Sequence, residues 1–249
     1  MEKPILKAYY GDIFFEFINH KEPTDTILYL EGFPSSGSHK KEIEFLYRKG
    51  YNIFVPHYKG TYQSRGKFLG GNIVYELKEF LDKLKMGSVI NLWDMSEVNF
   101  KIKRLILFGG SFSGAICCGL STLTKFDKIV LFAPVLDYLR LNEKGDEQDP
   151  DHMIPFVKRA YENLFRFDFD KIVERMSKFK ECSPNYYLNK LKTPVLILHD
   201  PTDKTVSIRM AKEFEKKLPN IKLIESSEGH KMDKTLEKEW TKIKKFLED

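Results

Sequence analysis

The chain has 249 residues, 42% of them hydrophobic and 31% charged, which is the composition of an ordinary globular protein and excludes the disordered, fibrous and low-complexity classes. Its 41 Lys and Arg residues exceed its 36 Asp and Glu residues, but the two signs of charge are interleaved along the sequence, so no basic stripe predicts binding to nucleic acid. The sequence contains no run of about 18 apolar residues that could cross a membrane, and charge interrupts the N-terminal segment where a signal peptide needs an apolar core.

Short runs of apolar, β-branched or aromatic residues, each bounded by turn residues, predict β-strands. In chain order these runs are residues 12–18, 26–30, 51–55, 104–108, 128–133, 194–199 and 220–224. Several of the later runs are apolar almost throughout, which favours central strands of a parallel sheet that is covered on both faces.

Helical patterns lie between the predicted strands. Two segments repeat apolar residues at the spacing of one buried helix face, namely Val74, Leu77, Leu81 and Leu84 in the first and Leu236, Trp240, Ile243 and Leu247 in the second. A further helix is expected over residues 208–218. Because strands and helices alternate, the sequence predicts the α/β class, with residues 1–249 forming a single domain.

Residues 137–191 interrupt this alternation. A polar loop opens the segment, and helical patterns follow over residues 157–165 and 169–179 without a strand between them. The segment also carries more aromatic side chains than a small surface helix needs. We therefore expect a helical cap insertion that either packs on the edge of the sheet or roofs a cavity.

The three cysteines form no disulfide framework, because Cys117 and Cys118 are adjacent and Cys182 is alone. We expect all three to be buried, reduced packing residues. Reduced cysteines agree with the absence of a signal-peptide pattern and of a membrane-spanning run, and together these features predict a cytoplasmic protein that binds neither membranes nor nucleic acid.

Residues 103–120 have the sequence of a strand, a glycine-rich turn and a helix of small residues, with Ser111 at the apex of the turn. A serine on such a strained turn projects its hydroxyl clear of the sheet, beside the N–H groups that open the helix. The usual signature is Gly-x-Ser-x-Gly, and here Gly109 occupies the first glycine position, Ser113 the second, and Gly114 follows. A structural turn or a phosphate-binding loop is the alternative reading of this segment alone.

Two later loops carry side chains that could act together with Ser111. Asp203 lies just past the predicted strand at 194–199, and His230 lies past the strand at 220–224. The carboxyl ends of parallel strands share one edge of a sheet, so these three residues can meet despite their separation in sequence. Nucleophile, acid and histidine then follow one another in chain order.

At this point the chain resembles the α/β-hydrolase superfamily. Four segments carry the resemblance: TILYLEGFPSSG is similar to the strand followed by His-Gly-x-Pro, FGGSFSGA to the nucleophile elbow, TPVLILHDPTDKTVS to the acid loop and SEGHKM to the histidine loop. Within the superfamily, the catalytic domains of the prolyl oligopeptidase group and their small esterase relatives look most similar. The resemblance implies an α/β-hydrolase fold, a mostly parallel central sheet with helices on both faces.

The resemblance also implies roles for individual residues. Ser111 would be the nucleophile, His230 the general base and Asp203 the acid that orients the histidine, while the backbone N–H groups of Phe33 and Phe112 would form the oxyanion hole. No metal and no cofactor is implied. Asp137, just past the strand at 128–133, is a rival acid because some members recruit the acid from that position. Ser113 would lie inside the helix, so it is a weaker candidate nucleophile than Ser111.

Two positions depart from the family pattern. Glu31 stands where the family usually has His, and His57 stands where many members have Asp. A carboxylate at position 31 would disfavour an anion at the neighbouring oxyanion loop unless it points away or is paired.

These residues predict a serine hydrolase that cleaves a carboxylic ester of a small or medium acyl substrate through an acyl-enzyme. The substrate is accordingly expected to be a small-molecule ester or amide. One alternative is an aminopeptidase or amidase, in which Glu31 or acids within residues 143–151 would bind a substrate amine. Another is a non-catalytic binding protein with the same fold.

Overall fold

The computed structural model describes residues 3–140, 150–161 and 164–249. At its centre lies an eight-stranded sheet with the strand order β1-β2-β4-β3-β7-β8-β9-β10. These strands are Leu6–Tyr10 (β1), Ile13–Ile18 (β2), Thr24–Leu30 (β3), Asn52–Pro56 (β4), Ile102–Gly110 (β7), Lys128–Phe132 (β8), Val195–His199 (β9) and Ile221–Glu225 (β10). A separate hairpin consists of Ser88–Ile90 (β5) and Glu97–Asn99 (β6).

The sheet is parallel from β4 to β10, whereas β2 is antiparallel to both β1 and β4. Leu30 at the end of β3 pairs with Gly109 near the end of β7, and Gly110 pairs with Phe132 at the end of β8. The residues that follow β3, β7 and β8 therefore emerge side by side at one edge of the sheet.

Helices cover both faces of the sheet, as the resemblance predicts. One face carries Lys40–Arg48 (α1), Met232–Lys238 (α8) and Trp240–Glu248 (α9), and the other carries Ile73–Leu84 (α2), Ser113–Ser121 (α3) and Arg209–Lys217 (α7). Within β3, Ile27 and Tyr29 enter the first of these cores while Leu28 and Leu30 enter the second. Since successive strand residues point to opposite faces, a strand covered on both sides must be apolar throughout.

All seven strands predicted from the sequence are confirmed, and three others were missed. β1 is half-buried at most of its positions, while β5 and β6 are three residues each, too short for a periodic pattern to identify. The predicted C-terminal helix is divided at Glu239 into α8 and α9. The three cysteines are free and buried, as expected.

Residues 137–191 contain helices Pro150–Tyr161 (α4), Ile172–Ser177 (α5) and Pro184–Tyr187 (α6), with short 3-10 turns between them. The first predicted helical stretch ends at Tyr161, not 165, and the second begins with a 3-10 turn at Phe169–Lys171. Residues 141–149, which include most of the predicted polar loop at 142–152, lie outside the described residues. No strand occurs in the described part of this segment, although Phe165 forms an isolated bridge with Thr61.

Candidate active site

Ser111 lies between the end of β7 and the start of α3 with a left-handed backbone conformation, φ 50°. This conformation costs a non-glycine residue on the order of 1–3 kcal/mol and persists only where the surroundings hold it. Here the Ser111 N–H donates to the carbonyl of Phe132 at 3.0 Å, and the Ser111 carbonyl accepts from the N–H of Val135 at 2.8 Å. The elbow predicted from the sequence is therefore present, and the end of β8 holds it in place.

Close contacts around the elbow explain its small residues. A Cβ atom on Gly109 would lie 2.5 Å from the Sγ of Cys117, and one on Gly114 would lie 2.5 Å from the Cβ of Pro134. Ser113 has a different role: its Oγ accepts from the N–H of Gly110 at 2.7 Å and lies 3.1 Å from the carbonyl oxygen of Leu30. Ser113 is fully buried at the first position of α3. This serine therefore joins β3 to β7 instead of facing a substrate.

The loop of residues 31–39, named the oxyanion loop here for the role expected of it, connects β3 to α1 and passes directly beside Ser111. A Cβ atom on Gly32 would lie 3.3 Å from the Cβ and 3.8 Å from the Oγ of Ser111. In the described part of the chain, neither the N–H of Phe33 nor that of Phe112 donates a hydrogen bond to a protein acceptor. Two unpaired amides on the segments that flank a serine are the donors that a developing oxyanion requires.

The side chains of Phe33 and Phe112 belong to an aromatic cluster. Their ring centroids are 5.5 Å apart, and Phe33 also packs on Phe68 at 5.1 Å and on Phe165 at 5.0 Å. Tyr138 stacks on Phe112, and its hydroxyl donates to the Phe112 carbonyl at 2.6 Å. Phe165 comes from the helical segment between β8 and β9, so that segment reaches the oxyanion loop.

Asp203 and His230 meet as predicted. The His230 Nδ1–H donates to Oδ2 of Asp203 at 2.8 Å, and Oδ1 of Asp203 accepts the N–H groups of Thr205 and Val206 at 2.8 and 3.1 Å. Burial would raise the pKa of Asp203, but the hydrogen bond and charge of His230 and these two N–H groups outweigh it and lower the pKa below its usual value. Asp203 is therefore an ionised acceptor, and Nε2 is the nitrogen of His230 left for proton transfer.

The histidine loop also contacts the elbow. A Cβ atom on Gly110 would lie 2.7 Å from the Sδ of Met232, which follows His230 by two residues. The loops after β7, β9 and β10 therefore converge at the edge of the sheet where the residues after β3 also emerge.

Asp200 is a residue of this site that sequence analysis missed. Its Oδ2 accepts the N–H of Gly229 at 2.6 Å, and its Oδ1 accepts both the N–H and the hydroxyl of Thr202 at 2.7 Å. Asp200 thereby joins the loop that carries Asp203 to the loop that carries His230. An aspartate beside a proline looks like an ordinary turn former, so nothing in the sequence indicated this role.

Asp137, the rival acid, has a local role. Its Oδ1 accepts the N–H of Leu139 at 3.0 Å and so starts the 3-10 turn Tyr138–Arg140. Within the described residues it makes no hydrogen bond or ion pair with His230.

The Glu31 side chain points away from Ser111 and toward two histidines. Its side chain is buried, with Oε2 at 3.2 Å from Nε2 of His39 and Oε1 at 3.6 Å from Nδ1 of His57. The two departures from the family pattern, at positions 31 and 57, are therefore spatial neighbours. Because the Glu31 carboxylate is buried and paired, it cannot bind a substrate amine, which corrects one role considered for it. The other acids considered, residues 143–151, have side chains outside the described residues.

Neither a metal cluster nor a membrane span was found in the described residues. No group of three or more His, Cys, Asp or Glu side chains there is arranged to hold a metal ion. No described helix is both long and apolar enough to cross a bilayer.

Comparison with known proteins shows which solved structures share this fold. No protein-family model and no curated protein matches the sequence. Among solved structures, the esterase PF2001 of Pyrococcus furiosus is 20% identical with a TM-score of 0.68, covering 99% of this chain and 90% of its own. Est1E of Butyrivibrio proteoclasticus, solved with ferulic acid, is 17% identical with a TM-score of 0.65 and 97% of both chains covered.

An acylaminoacyl peptidase solved with a chloromethyl ketone is 15% identical with a TM-score of 0.65, and the match covers 99% of this chain and 41% of the peptidase. A metagenomic enzyme described as an α/β hydrolase is 19% identical with a TM-score of 0.66 over 97% of this chain and 98% of its own. With its mostly parallel eight-stranded sheet and a serine elbow after β7, the chain has the α/β-hydrolase fold.

Proposed function

We propose that this protein is a serine hydrolase that cleaves carboxylic esters of small or medium acyl substrates through an acyl-enzyme. The observation that carries the proposal is the hydrogen bond of 2.8 Å between Asp203 and His230, at the sheet edge where the strained Ser111 lies beside two unpaired amides. The esterases among the solved structures of the same fold support ester hydrolysis.

The proposed reaction has two halves. In the first, Nε2 of His230 takes the proton of the Ser111 hydroxyl while Oγ attacks the acyl carbonyl, and the amides of Phe33 and Phe112 bind the oxyanion. The oxyanion then collapses, and the imidazolium donates its proton to the departing alcohol. In the second half, His230 deprotonates a water that attacks the acyl-enzyme, and the proton returns to Ser111 Oγ as the acid leaves.

Asp203 contributes by holding His230 in one tautomer and by stabilising the imidazolium formed in both halves. Its two other hydrogen bonds, from the amides of Thr205 and Val206, keep the carboxylate ionised and oriented. General base catalysis typically supplies about 10²- to 10⁴-fold, and each oxyanion donor about 10²- to 10³-fold. Loss of the general base or of one oxyanion donor should therefore lower the rate of hydrolysis strongly.

The size of the acyl group is proposed from the aromatic cluster. Phe33, Phe68, Phe112 and Phe165 are buried and pack on one another beside the oxyanion loop, so they fill the space on that side of the nucleophile. We assign residues 137–191 the role of a helical cap, since Phe165 of that segment completes the cluster. Amide substrates are the second candidate, because an acylaminoacyl peptidase shares the fold.

Labelling with a fluorophosphonate tests the proposal, because this reagent reports an activated serine whatever the substrate. The wild type should label stoichiometrically, and Ser111→Ala should abolish labelling and lower kcat/KM for p-nitrophenyl butyrate by at least about 10⁴-fold. The matched control is Ser121→Ala at the far end of α3, where the hydroxyl donates to the carbonyl of Cys118.

Comparison of acetyl, butyryl and octanoyl esters with the corresponding anilides then separates esterase from amidase activity and sizes the acyl site. A folded wild type that neither labels nor turns over any of these compounds would support the binding-protein alternative.

A further inference from the structure

The base of the oxyanion loop holds a buried pair of side chains that the mechanism above does not use. Glu31, the first residue after β3, and His39, the last residue before α1, are both buried. Oε2 of Glu31 lies 3.2 Å from Nε2 of His39. The two lie eight positions apart in the chain, so their contact closes the loop that carries Phe33.

Other hydrogen bonds of the loop converge on the same pair. The Glu31 carbonyl accepts the hydroxyl of Tyr58 at 2.8 Å. Ser35 places its Oγ 3.4 Å from Nε2 of His39, and its carbonyl accepts the hydroxyl of Tyr62. The hydroxyl of Ser35 also accepts the N–H of Gly37 at 3.2 Å. The ion pair thus lies at the centre of the contacts that fix the path of the loop past Ser111.

The alternation of side chains along β3 explains why the Glu31 carboxylate lies beside His39. Tyr29 and Glu31 point to the face covered by α1, and the ring centroids of Tyr29 and His39 are 5.3 Å apart. Phe33 enters the core on the other face, beside Phe112. The ion pair therefore holds one side of the loop, and Gly32, the residue before Phe33, lies directly beside Ser111.

The groups that face His39 favour its cationic form. They are Glu31 after β3 and Glu42 on α1, whose Oε1 lies 3.8 Å from Nδ1 of His39. The phenol ring of Tyr29 also packs against His39 but carries no charge. Burial would lower the pKa of His39, but hydrogen bonds and charges from the two glutamates raise it to about 9. His57, on the other side of Glu31, has a pKa lowered mainly by burial and is neutral at pH 7.

We propose that Glu31 and His39 are positioning residues for the oxyanion hole, and that the ion pair they form sets the distance of the Phe33 amide from Ser111. This inference rests on the proposed hydrolase function. Its chemical consequence is that hydrolysis requires protonated His39, so activity declines when that imidazolium loses its proton at alkaline pH. A buried ion pair adds little net stability over an apolar pair of the same size, whereas it does restrict geometry.

The experiment compares Glu31→Gln, His39→Gln and the double variant with the wild type between pH 6 and pH 10.5. Initial rates with p-nitrophenyl butyrate give kcat and KM, the rate of fluorophosphonate labelling gives a substrate-independent measure, and circular dichroism checks folding at each pH. The matched control is Asp25→Asn, which breaks the ion pair between Asp25 and Arg104 at the start of β3, at the opposite edge of the sheet.

We expect each single variant to lower kcat by about 10- to 100-fold with KM changed less than about threefold, since a misplaced oxyanion donor affects the transition state more than substrate binding. The wild type should lose roughly tenfold in labelling rate between pH 8 and pH 10 through His39, and the double variant should lack this decline. Asp25→Asn should keep both the wild-type kcat and the wild-type alkaline decline.

Nitrogen-15 NMR of the imidazole of wild-type His39 keeps the inference testable if the variants do not fold. A cationic ring at pH 7.5 that titrates near pH 9 supports it, and a neutral ring at pH 7.5 overturns it. An active wild type whose single variants keep their kcat overturns this inference alone. A wild type that neither labels nor hydrolyses esters overturns the proposed function and this inference with it.

Discussion

The carboxylate of Asp200 accepts a hydrogen bond of 2.6 Å from the amide of Gly229, the residue immediately before His230. Asp200 is itself the first residue after β9, three residues before Asp203. Burial would raise its pKa, but hydrogen bonds from Gly229 and Thr202 lower it below the usual value. The acid loop therefore positions the histidine loop through two separate carboxylates.

This relationship predicts that Asp200→Ala lowers kcat/KM about tenfold and the free energy of unfolding by about 1–2 kcal/mol, because the part-buried hydrogen bonds from Gly229 and Thr202 lose their charged acceptor. Asp200→Asn keeps an acceptor oxygen and should lose less of both. Urea unfolding and ester kinetics measure the two effects. Full activity in a folded Asp200→Ala protein would show that Asp203 alone positions the histidine.

A matched pair of substitutions tests which aspartate is the acid of the proposed triad. Asp203→Asn should lower kcat by about 10³- to 10⁴-fold, because an amide at this position no longer favours the productive tautomer of His230. Asp137→Asn should keep kcat within about threefold, since Asp137 caps a 3-10 turn. The reverse order of the two effects, measured with p-nitrophenyl butyrate, would assign the acid to Asp137.

Ser113 is predicted to act in stability and not in catalysis. Ser113→Ala leaves the N–H of Gly110 without its acceptor, so the free energy of unfolding should fall by about 1–3 kcal/mol while fluorophosphonate labelling of Ser111 persists. Ser121→Ala on the same helix serves as the control, with an expected loss below about 1 kcal/mol. Loss of labelling in a folded Ser113→Ala protein would contradict this assignment.

The raised pKa of His39 makes stability depend on pH at the alkaline side. A group whose pKa rises from 6.5 to about 9 on folding contributes stability that is fully present below pH 6.5 and is lost as the pH rises through about 9. The difference in unfolding free energy between wild type and His39→Gln should therefore be larger at pH 6 than at pH 10, by about 2–3 kcal/mol.

Denaturant unfolding at pH 6, 8 and 10 measures this difference, with His20→Gln as control. Burial is the main cause that lowers the pKa of His20, so this residue is neutral throughout the upper part of that range and its substitution should have the same effect at pH 8 and pH 10. A wild-type advantage over His39→Gln that does not change with pH would mean that His39 is not charged.

The elements that the sequence predicted are those that local patterns encode. The apolar runs of β3, β7, β8 and β9 are buried on both faces. A continuous apolar run of this kind can be recognised as a strand without any knowledge of tertiary contacts. Ser111, Asp203 and His230 became candidate site residues because each follows a strand in a recognisable loop. Topology alone then brings the loops to one edge.

The remaining features depend on contacts between distant segments. The direction of the Glu31 side chain depends on the alternation of side chains along β3 and on the contact with His39, eight positions later. Sequence alone shows neither of these two features. Asp200 acquires its role from an amide 29 residues away. β5 and β6 are too short to have a pattern, and they exist because they pair with each other.

The burial of the three cysteines has a consequence for chemical work on this protein. Burial raises the pKa of the Cys118 thiol to about 12 and raises those of the Cys117 and Cys182 thiols well above their usual value, so almost no thiolate exists at neutral pH while the chain is folded. An electrophile that inactivates the native protein is thus not acting on a cysteine. The rate of alkylation by iodoacetamide reports instead how often the core around α3 opens.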